Sequence, residues 1–583
     1  MKTVLATINS RYTQSSLALL YLESIIVREF SNISIKRLES NLSFTTEEFA
    51  SEILSEKPDI VCFSVYLWNR KATQEVISYI KSVNEDIFII VGGPEITYDC
   101  VCMMNECSGI DYCIIGEGED NFRFLLSELY NGNTPDSRKG LIYRENISES
   151  FIIPDEVEDL SSIPSPLQTG VFPSDRNFMH YESSRGCPFS CAYCLSAAKK
   201  KVRYFPLRRI YKDLDYFFAS ELKMLRFVDR TFNLDKEHFL PIWKYIIEYG
   251  PKDKHYQFEI DASLFDEETL NFLVKNYTDN FQFEIGVQSI SSRALENVNR
   301  PNKIDRIFKI SEFLLKNTKI HIHLDLISGL PGDNRENFMR GIDRIAFIMP
   351  HTIQIGRLKI LKGSPLEKSV EKFNIVYFKS PPYYILKNND FSWKDIMEIE
   401  KLSRINELIY NSERYFNFIR ALLSKGKKYT EFLKEMNEMW QNNKMNYFGI
   451  AQKNIVKILV KYIDGDETLL QALLHDILMK ADFKYDPMAA FKEFERFFIK
   501  REDVFRADNS VATFYPVKPI KLVRYTINPI DQSKRKEYFI YYLKNSKREF
   551  IVISEKEVKC GNKVLYEKIK PLIKKGIFRK LEI

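Results

Sequence analysis

Short apolar runs alternate with amphipathic stretches over the first quarter of the chain. Val4–Ile8, Asp59–Leu67, Ile87–Val91 and Tyr112–Ile115 are apolar runs of strand length, whereas Ser15–Phe30, Thr45–Glu56, Lys71–Asn84 and Asn121–Tyr130 repeat apolar residues at helical spacing. Strands alternating with helices predict a doubly wound parallel sheet, whose ligands lie at the carboxyl ends of the strands. Four segments fall there: 9–16, Ser64-Val65-Tyr66-Leu67-Trp68, Gly92-Gly93-Pro94-Glu95 and Gly116-Glu117-Gly118-Glu119. Their glycines let backbone approach a bulky group, with hydroxyls and carboxylates beside them. Between residues 152 and 173 the prolines at 154, 164, 166 and 173 resist helix and central strand and predict a connecting arm. The alternation then resumes. Met224–Val228, Phe258–Ile260, Phe281–Val287, His321–Ile327 and Thr352–Leu358 read as strands, and Asp266–Lys275 and Lys303–Lys316 as helices. Repeated βα units predict a partial barrel with function at its strand C-termini. Past about Tyr384 the pattern turns helical over 393–412, 414–425, 429–441, 454–464 and 467–479, with strand-like stretches at 521–525, 538–542 and 549–553. The expected organisation is an α/β chain divided at 1–141, a linker over 142–176, a barrel over 177–384 and a mostly helical C-terminal domain with some strands over 385–583.

A length of 583 residues with 45% hydrophobic and 28% charged side chains describes a globular protein with several cores. The start of the chain turns polar too early for a signal peptide, and no apolar run reaches membrane-spanning length. Nine cysteines in a chain of this size suit a reducing compartment better than a disulfide framework, so a cytoplasmic location is expected. A net charge of +6 permits an anionic partner without demanding one. The basic runs Lys425-Gly426-Lys427-Lys428 and Lys534-Arg535-Lys536, set among aromatics, could grip RNA, although such runs are more often solvated faces. There is no internal repeat or low-complexity tract.

The chemistry gathers in Ser183-Ser184-Arg185-Gly186-Cys187-Pro188-Phe189-Ser190-Cys191-Ala192-Tyr193-Cys194. A C-x3-C-x2-C spacing points three thiolates at one centre from a short loop, and thiolates suit iron-sulfur clusters and zinc. A structural zinc would want a fourth ligand nearby, and neither Cys nor His follows Cys194 closely. With an aromatic before the last cysteine, the loop resembles that of the radical S-adenosylmethionine (SAM) family. The resemblance implies a partial TIM barrel and a [4Fe-4S] cluster on Cys187, Cys191 and Cys194. It also implies SAM at the open iron, reductive cleavage of SAM to a 5'-deoxyadenosyl radical, and an electron donor such as flavodoxin or ferredoxin. Glu259, Gln288, Arg300 and Asp325 match the coproporphyrinogen-oxidase-like branch in type, order and intervals. That match implies that Glu259 and Arg300 meet the methionine amino and carboxylate groups while Gln288 and Asp325 meet the adenosine hydroxyls. Tyr193 is expected to border the adenine. Asp229-Arg230-Thr231-Phe232-Asn233 stands where the family has an amino-group motif, but it is charged and lacks paired glycines.

The Gly92-Gly93-Pro94-Glu95 and Gly116-Glu117-Gly118-Glu119 turns resemble those of the Rossmann/flavodoxin-like B12-binding domain that precedes many radical SAM barrels. This implies cobalamin at Ser64, Tyr66, Gly92, Gly93, Pro94, Glu95, Gly116, Glu117 and Gly118. No histidine occurs before His180, so this domain cannot ligate cobalt through an imidazole, and the D-x-H-x-x-G motif of better-known B12 modules is absent. Cys100, Cys102, Cys107 and Cys113 have no familiar metal spacing and are expected as buried structural cysteines. His321 and His323 share one face of a strand and read as hydrogen-bonded interior histidines, with His323 the better candidate for catalysis. The C-terminal third resembles the DUF4080-like extension carried by a subset of B12-dependent radical SAM proteins. The leading expectation is a B12-dependent radical SAM methyltransferase acting at an unactivated carbon of a small-molecule, peptide or RNA substrate, without a membrane partner. A non-methylating rearrangement, cyclisation or sulfur insertion is the alternative enzyme, and a cobalamin or redox sensor is the alternative of another class.

Overall fold

The computed structural model describes residues 1–479, apart from Tyr12, 145–152, Asp155, 174–175, 199–200 and Asn302; beyond them it describes only the strands Phe514–Pro516, Ile520–Thr526, Lys536–Lys544, Lys547–Ser554 and Phe578–Lys580. The chain divides into two compact units. One comprises Met1–Gly341 with Gln354–Ile396, the other Ile342–Ile353 with Met397–Ile583.

The first unit opens with strands β1 (Lys2–Asn9), β2 (Ser34–Asn41), β3 (Ile60–Ser64), β4 (Phe88–Gly92), β5 (Tyr112–Ile114) and β6 (Leu141–Tyr143) in one sheet of order β2-β1-β3-β4-β5-β6. Every pair is parallel except β5–β6. The order reverses between β1 and β3, and that switch point opens a crevice at the strand C-termini. Helices α1 (Leu17–Glu29) and α6 (Glu119–Tyr130) pack with Leu5, Cys62, Ile90 and Ile114 in one buried cluster, and α2 (Thr46–Ser55) and α3 (Arg70–Val83) with Val4, Val61, Ile89 and Val91 in another. The hydrophobic pattern missed β2, whose Ser-Ile-Lys-Arg-Leu-Glu-Ser-Asn sequence is polar because it is an edge strand with an exposed first half. The strand expected to run to Leu67 stops at Ser64: the Asn69 side chain accepts a hydrogen bond from Tyr66 N at 2.8 Å, turning Tyr66 and Trp68 out of the sheet. Short helices α4 (Pro94–Thr97) and α5 (Cys100–Glu106) follow β4.

The connecting arm is anchored by side chains. Ser165 and Gln168 each donate to Asp213 at 2.6 Å, and the Thr169 hydroxyl meets that of Ser24 at 3.0 Å. The second sheet takes β7 (Phe178–Tyr181), β10 (Met224–Phe227), β11 (His255–Ile260), β12 (Phe281–Gln288), β13 (His321–Ser328) and β14 (Thr352–Arg357) in the order β14-β13-β12-β11-β10-β7. A two-residue hairpin, β8 (Ser184–Arg185) with β9 (Arg203–Tyr204), stands between β7 and β10. The same unit carries α7 (Leu207–Ala219), α8 (Lys236–Tyr249), α9 (Glu267–Lys275), α10 (Ser292–Asn297), α11 (Ile304–Asn317) and the first half of α12 (Arg335–Phe347), whose residues from Ile342 belong to the second unit. Burial alternates strictly along β12 and β13. One face packs Phe258 and Phe283 around the fully buried Trp243 of α8, while the other carries Gln282, Glu284, Gln288, His321, His323 and Asp325.

In the second unit, α14 (Phe416–Ser424), α15 (Tyr429–Asn442), α16 (Gln452–Ile463) and α17 (Glu467–Met479) follow α13 (Trp393–Ile409), whose first turn belongs to the first unit. The buried Asp476 of α17 caps α14, accepting from Asn417 N at 3.1 Å and Phe418 N at 2.8 Å. The strands 520–526, 536–544 and 547–554 form an antiparallel sheet in chain order. Lys534 and Arg535 of the second basic run lie outside the described residues.

Candidate active site

The cysteine loop is held open by its own neck. Gly186 has φ +99°, and a Cβ there would stand 2.1 Å from the Lys201 carbonyl oxygen, so β8 and β9 close only with glycine. Beyond the neck, Ala192 N donates to Val298 O and Leu366 N to Ala192 O, each at 2.8 Å, which ties the loop on two sides. Ser183, just before the neck, donates through N and Oγ to the buried Asp229 at the end of β10, and Ser184 Oγ donates to the same carboxylate at 2.5 Å. Burial raises the Asp229 carboxyl to about 6. Asp229 is therefore an anchor of the loop's root, while its neighbour Thr231 places Oγ1 3.8 Å from the Cys187 sulfur. The order of residues could not show this, because the partner serines lie more than forty positions upstream.

Cys187 and Cys191 are buried, Cys194 is half-buried, and all three are free thiols. Among the described residues no three His, Cys, Asp or Glu side chains converge as a set for a single ion. A cubane takes each thiolate at a different iron, so its ligands have no need to meet at one point. Cys100, Cys107 and Cys113 are buried and Cys102 partly so, all free.

Arg300 stands behind the loop. Its Nη2 donates to Gly286 O at 2.6 Å, and its Nη1 lies 3.3 Å from Tyr193 Oη and 3.8 Å from Cys191 Sγ. Gln288 ends β12 with φ +67° at an irregularity in the β12–β13 ladder, a left-handed conformation that costs energy in a residue with a side chain. Its Oε1 is buried without a hydrogen-bond partner, and so is Oδ1 of Asp325, which sits opposite Gly286 on β13. Burial, with Glu284 and Glu259 nearby, raises the Asp325 carboxyl to about 8, and burial raises Glu259 to about 7. The structure thus brings Arg300 and Tyr193 beside Cys191, sets Gln288 and Asp325 around Gly286, whose carbonyl Arg300 binds, and places Glu259 on a cavity wall. His323 lies on the same polar strand face, its Nε2 3.0 Å from His321 Nδ1 and its Nδ1 3.8 Å from Glu284.

A cavity of about 540 Å³ opens where the carboxyl ends of the first sheet face the barrel. Tyr66, Gly93, Pro94, Gly116, Glu117 and Gly118 line it from one side, and His180, Arg185, Arg230 and Glu259 from the other. Tyr66 and Trp68 stack there with ring centres 4.4 Å apart. Gly93 has φ +113°, and a Cβ on it would stand 2.6 Å from Val65 O. An adjoining apolar slot of about 120 Å³ runs beneath the same turns between Leu19, Cys62, Ile114 and Phe122, and passes Ser64, whose buried Oγ has no partner. Glu95 does not reach the cavity. Its carboxylate accepts from Arg70 at 3.0 Å and from the Tyr383 hydroxyl.

Residues 3–126 match the model of the B12 binding domain, residues 181–345 that of the radical SAM superfamily, and residues 371–510 that of a protein of unknown function (DUF4080). The chain carries a B12-binding domain followed by a radical SAM domain. It is 28% identical over 338 residues to an uncharacterized methyltransferase, PH0819, of Pyrococcus horikoshii, covering 56% of this chain and 71% of that one. It is 24% identical over 352 residues to the cobalamin-dependent radical SAM methyltransferase TokK of Streptomyces tokunonensis, covering 56% of this chain and 51% of TokK. In fold it is similar to the cobalamin-dependent SAM radical enzyme OxsB, solved with aqua-cobalamin and SAM, with a TM-score of 0.58 at 14% identity over 82% of this chain and 80% of that one. The radical SAM methyltransferase TsrM of Kitasatospora setae gives a TM-score of 0.52 at 16% identity over 65% and 78% of the two chains.

Proposed function

We propose that the protein is a cobalamin-dependent radical SAM enzyme that methylates an unactivated carbon. The observation that carries the reading is that Arg300 reaches from Cys191 to Gly286, around which two buried polar atoms lack partners, while Glu259 lines a cavity shared with glycine turns at a sheet switch point. Cys187, Cys191 and Cys194 would hold a [4Fe-4S] cluster through three irons. Arg300, oriented by Gly286 O and Tyr193 Oη, offers a guanidinium for a carboxylate, and Glu259 offers an acceptor for an ammonium. Gln288 Oε1 and Asp325 Oδ1 are acceptors for sugar hydroxyls. Bound there, the cluster and SAM would supply a 5'-deoxyadenosyl radical and cobalamin a transferable methyl group.

On the other wall, the backbones of Gly92, Gly93, Pro94, Gly116 and Gly118 leave room for a corrin, and Tyr66 offers it a flat apolar surface. Ser64 Oγ at the slot suits a heteroaromatic arm with one acceptor. Glu95 and Glu117 act through their own ion pairs by shaping the turns. Free thiols at all eight described cysteines suit the reducing cytoplasm, and among the described residues no helix is long and apolar enough to cross a membrane.

The test is anaerobic reconstitution with iron, sulfide, cobalamin, SAM and a reductant. 5'-Deoxyadenosine should form, and Cys191→Ala should abolish both it and most of the iron content. Equal nucleoside yield from Cys191→Ala ends the reading. Transfer of an isotopically labelled methyl group into a molecule of the native extract separates methylation from rearrangement or cyclisation.

A further inference from the structure

The neck of the cysteine loop places Arg185 directly opposite Arg203 in an antiparallel pair. Two like charges opposed on a two-residue ladder repel one another, so the hairpin needs counter-charge from elsewhere. Much of it comes from the Gly116-Glu117-Gly118-Glu119 turn. Glu117 takes Arg203 through both oxygens, at 2.6 and 3.0 Å, and lies 3.5 Å from Arg185. Glu119 takes Arg185 at 2.6 Å, and Glu182 takes it through Nε and Nη2 at 2.9 and 2.7 Å. Arg203 also meets Glu156 at 3.4 Å and donates to Val157 O. Side-chain exposure is 12% for Arg185, 4% for Arg203, 10% for Glu117 and 8% for Glu119.

A buried ion network of this kind contributes little net stability, since desolvation offsets most of its Coulomb attraction, and its best-attested use is to specify register. Here it joins the two walls of the cavity: Glu117, Gly118 and Glu119 line one side, Glu182 and Arg185 the other. Arg185 lies two residues before Cys187, and the bidentate Arg203–Glu117 pair resists both sliding and rotation.

We propose that Arg185, Arg203, Glu117 and Glu119 are positioning residues that set the gap between the cobalamin turn and the cluster loop, and with it the separation of cobalt from cluster. The inference rests on the function proposed above. It extends that function by assigning a spacing role to side chains that touch neither reacting centre.

The two cofactors provide the readout, because cob(II)alamin and the reduced cluster are both paramagnetic and their dipolar coupling reports their separation. The variant Glu117→Gln, Glu119→Gln removes two anions while Arg185 keeps Glu182 and Arg203 keeps Glu156, so no cation is left stranded. In reconstituted protein that holds both cofactors, the cobalt–cluster distance distribution should widen by about twofold once the charge-assisted bonds are gone, compared with wild type at equal iron and cobalamin content. Arg185→Lys keeps the charge but loses the fork and should widen the distribution by a smaller amount. A lowered melting temperature with an unchanged distribution in the double variant makes the network structural only and overturns the proposal. If the double variant does not fold, Arg185→Lys decides by the same criterion. A wild type lacking either paramagnetic signal would instead overturn the parent reading.

Discussion

Asp325 places a carboxyl in a buried pocket with one oxygen unpartnered. Burial raises it from 3.8 to about 8. A carboxyl whose folded pKa lies above its unfolded one favours the fold fully below the unfolded value, and that contribution is lost as pH climbs through the folded value. The cofactor-free protein should therefore lose stability between about pH 4 and pH 8 in proportion to this shift, at up to about 1.4 kcal/mol per pH unit. Melting curves across that window should flatten in Asp325→Asn, which should melt higher than wild type at pH 8. A variant with the wild-type slope would show that Asp325 does not carry the effect. Added SAM should bring the slope down in the wild type, because its hydroxyls would give the orphaned oxygen a donor. Asp325 was singled out in the sequence by a resemblance to the coproporphyrinogen-oxidase-like branch, together with Glu259, Gln288 and Arg300. The state of its oxygens was not legible there, since it depends on which atoms the fold leaves unpaired.

At the scale of elements, the β8–β9 neck and the turn after β4 each depend on a glycine. Gly186→Ala combines a left-handed φ with a 2.1 Å approach to Lys201 O. It should lower stability by about 2 kcal/mol or more and deplete bound iron. Retained iron and an unchanged melt would mean that the neck can reopen elsewhere. Gly93→Ala meets Val65 O and should depress cobalamin binding, measured by absorbance after gel filtration, with less effect on iron. Most buried strands announced themselves by their apolar runs, although the buried β6 and β7, at 3 and 4 residues, were too short to be named. Edge strand β2 did not, because half of it faces solvent, and neither did the two-residue strands of the neck, which are too short for any period to appear. Asp229 looked like a failed cofactor motif, and the tertiary structure turns it onto Ser183 and Ser184.

At the scale of the first unit, Arg70 is a second hub. Its side chain, 5% exposed, meets Glu95 and Glu106 at 3.0 Å and also Asp99, which in turn takes Lys362 at 2.5 Å, while Tyr383 donates to Glu95. The hub joins the α4–α5 turn region to residues almost three hundred positions later in the chain. Arg70→Met takes the guanidinium away from Glu95, which keeps the Tyr383 hydroxyl, and from Asp99, which keeps Lys362; it should cost about 1–3 kcal/mol, read as a lowered denaturation midpoint. A shift below about 1 kcal/mol would assign Arg70 to the weak class of surface pairs.

The chain's sequence determined what local chemistry can state: where apolar runs make buried strands, where glycine permits a close turn, and that three cysteines stand at C-x3-C-x2-C spacing on one short loop. Those properties depend on a residue and its near neighbours. Only the tertiary structure decided which charges meet. Glu95 and Glu117 sit in turns that read as ligand contacts, yet the Glu95 carboxylate accepts from Arg70, 25 positions earlier, and that of Glu117 from Arg203, 86 positions later. Ion pairing has no sequence period, and its partners are known only once the backbone has brought them within reach.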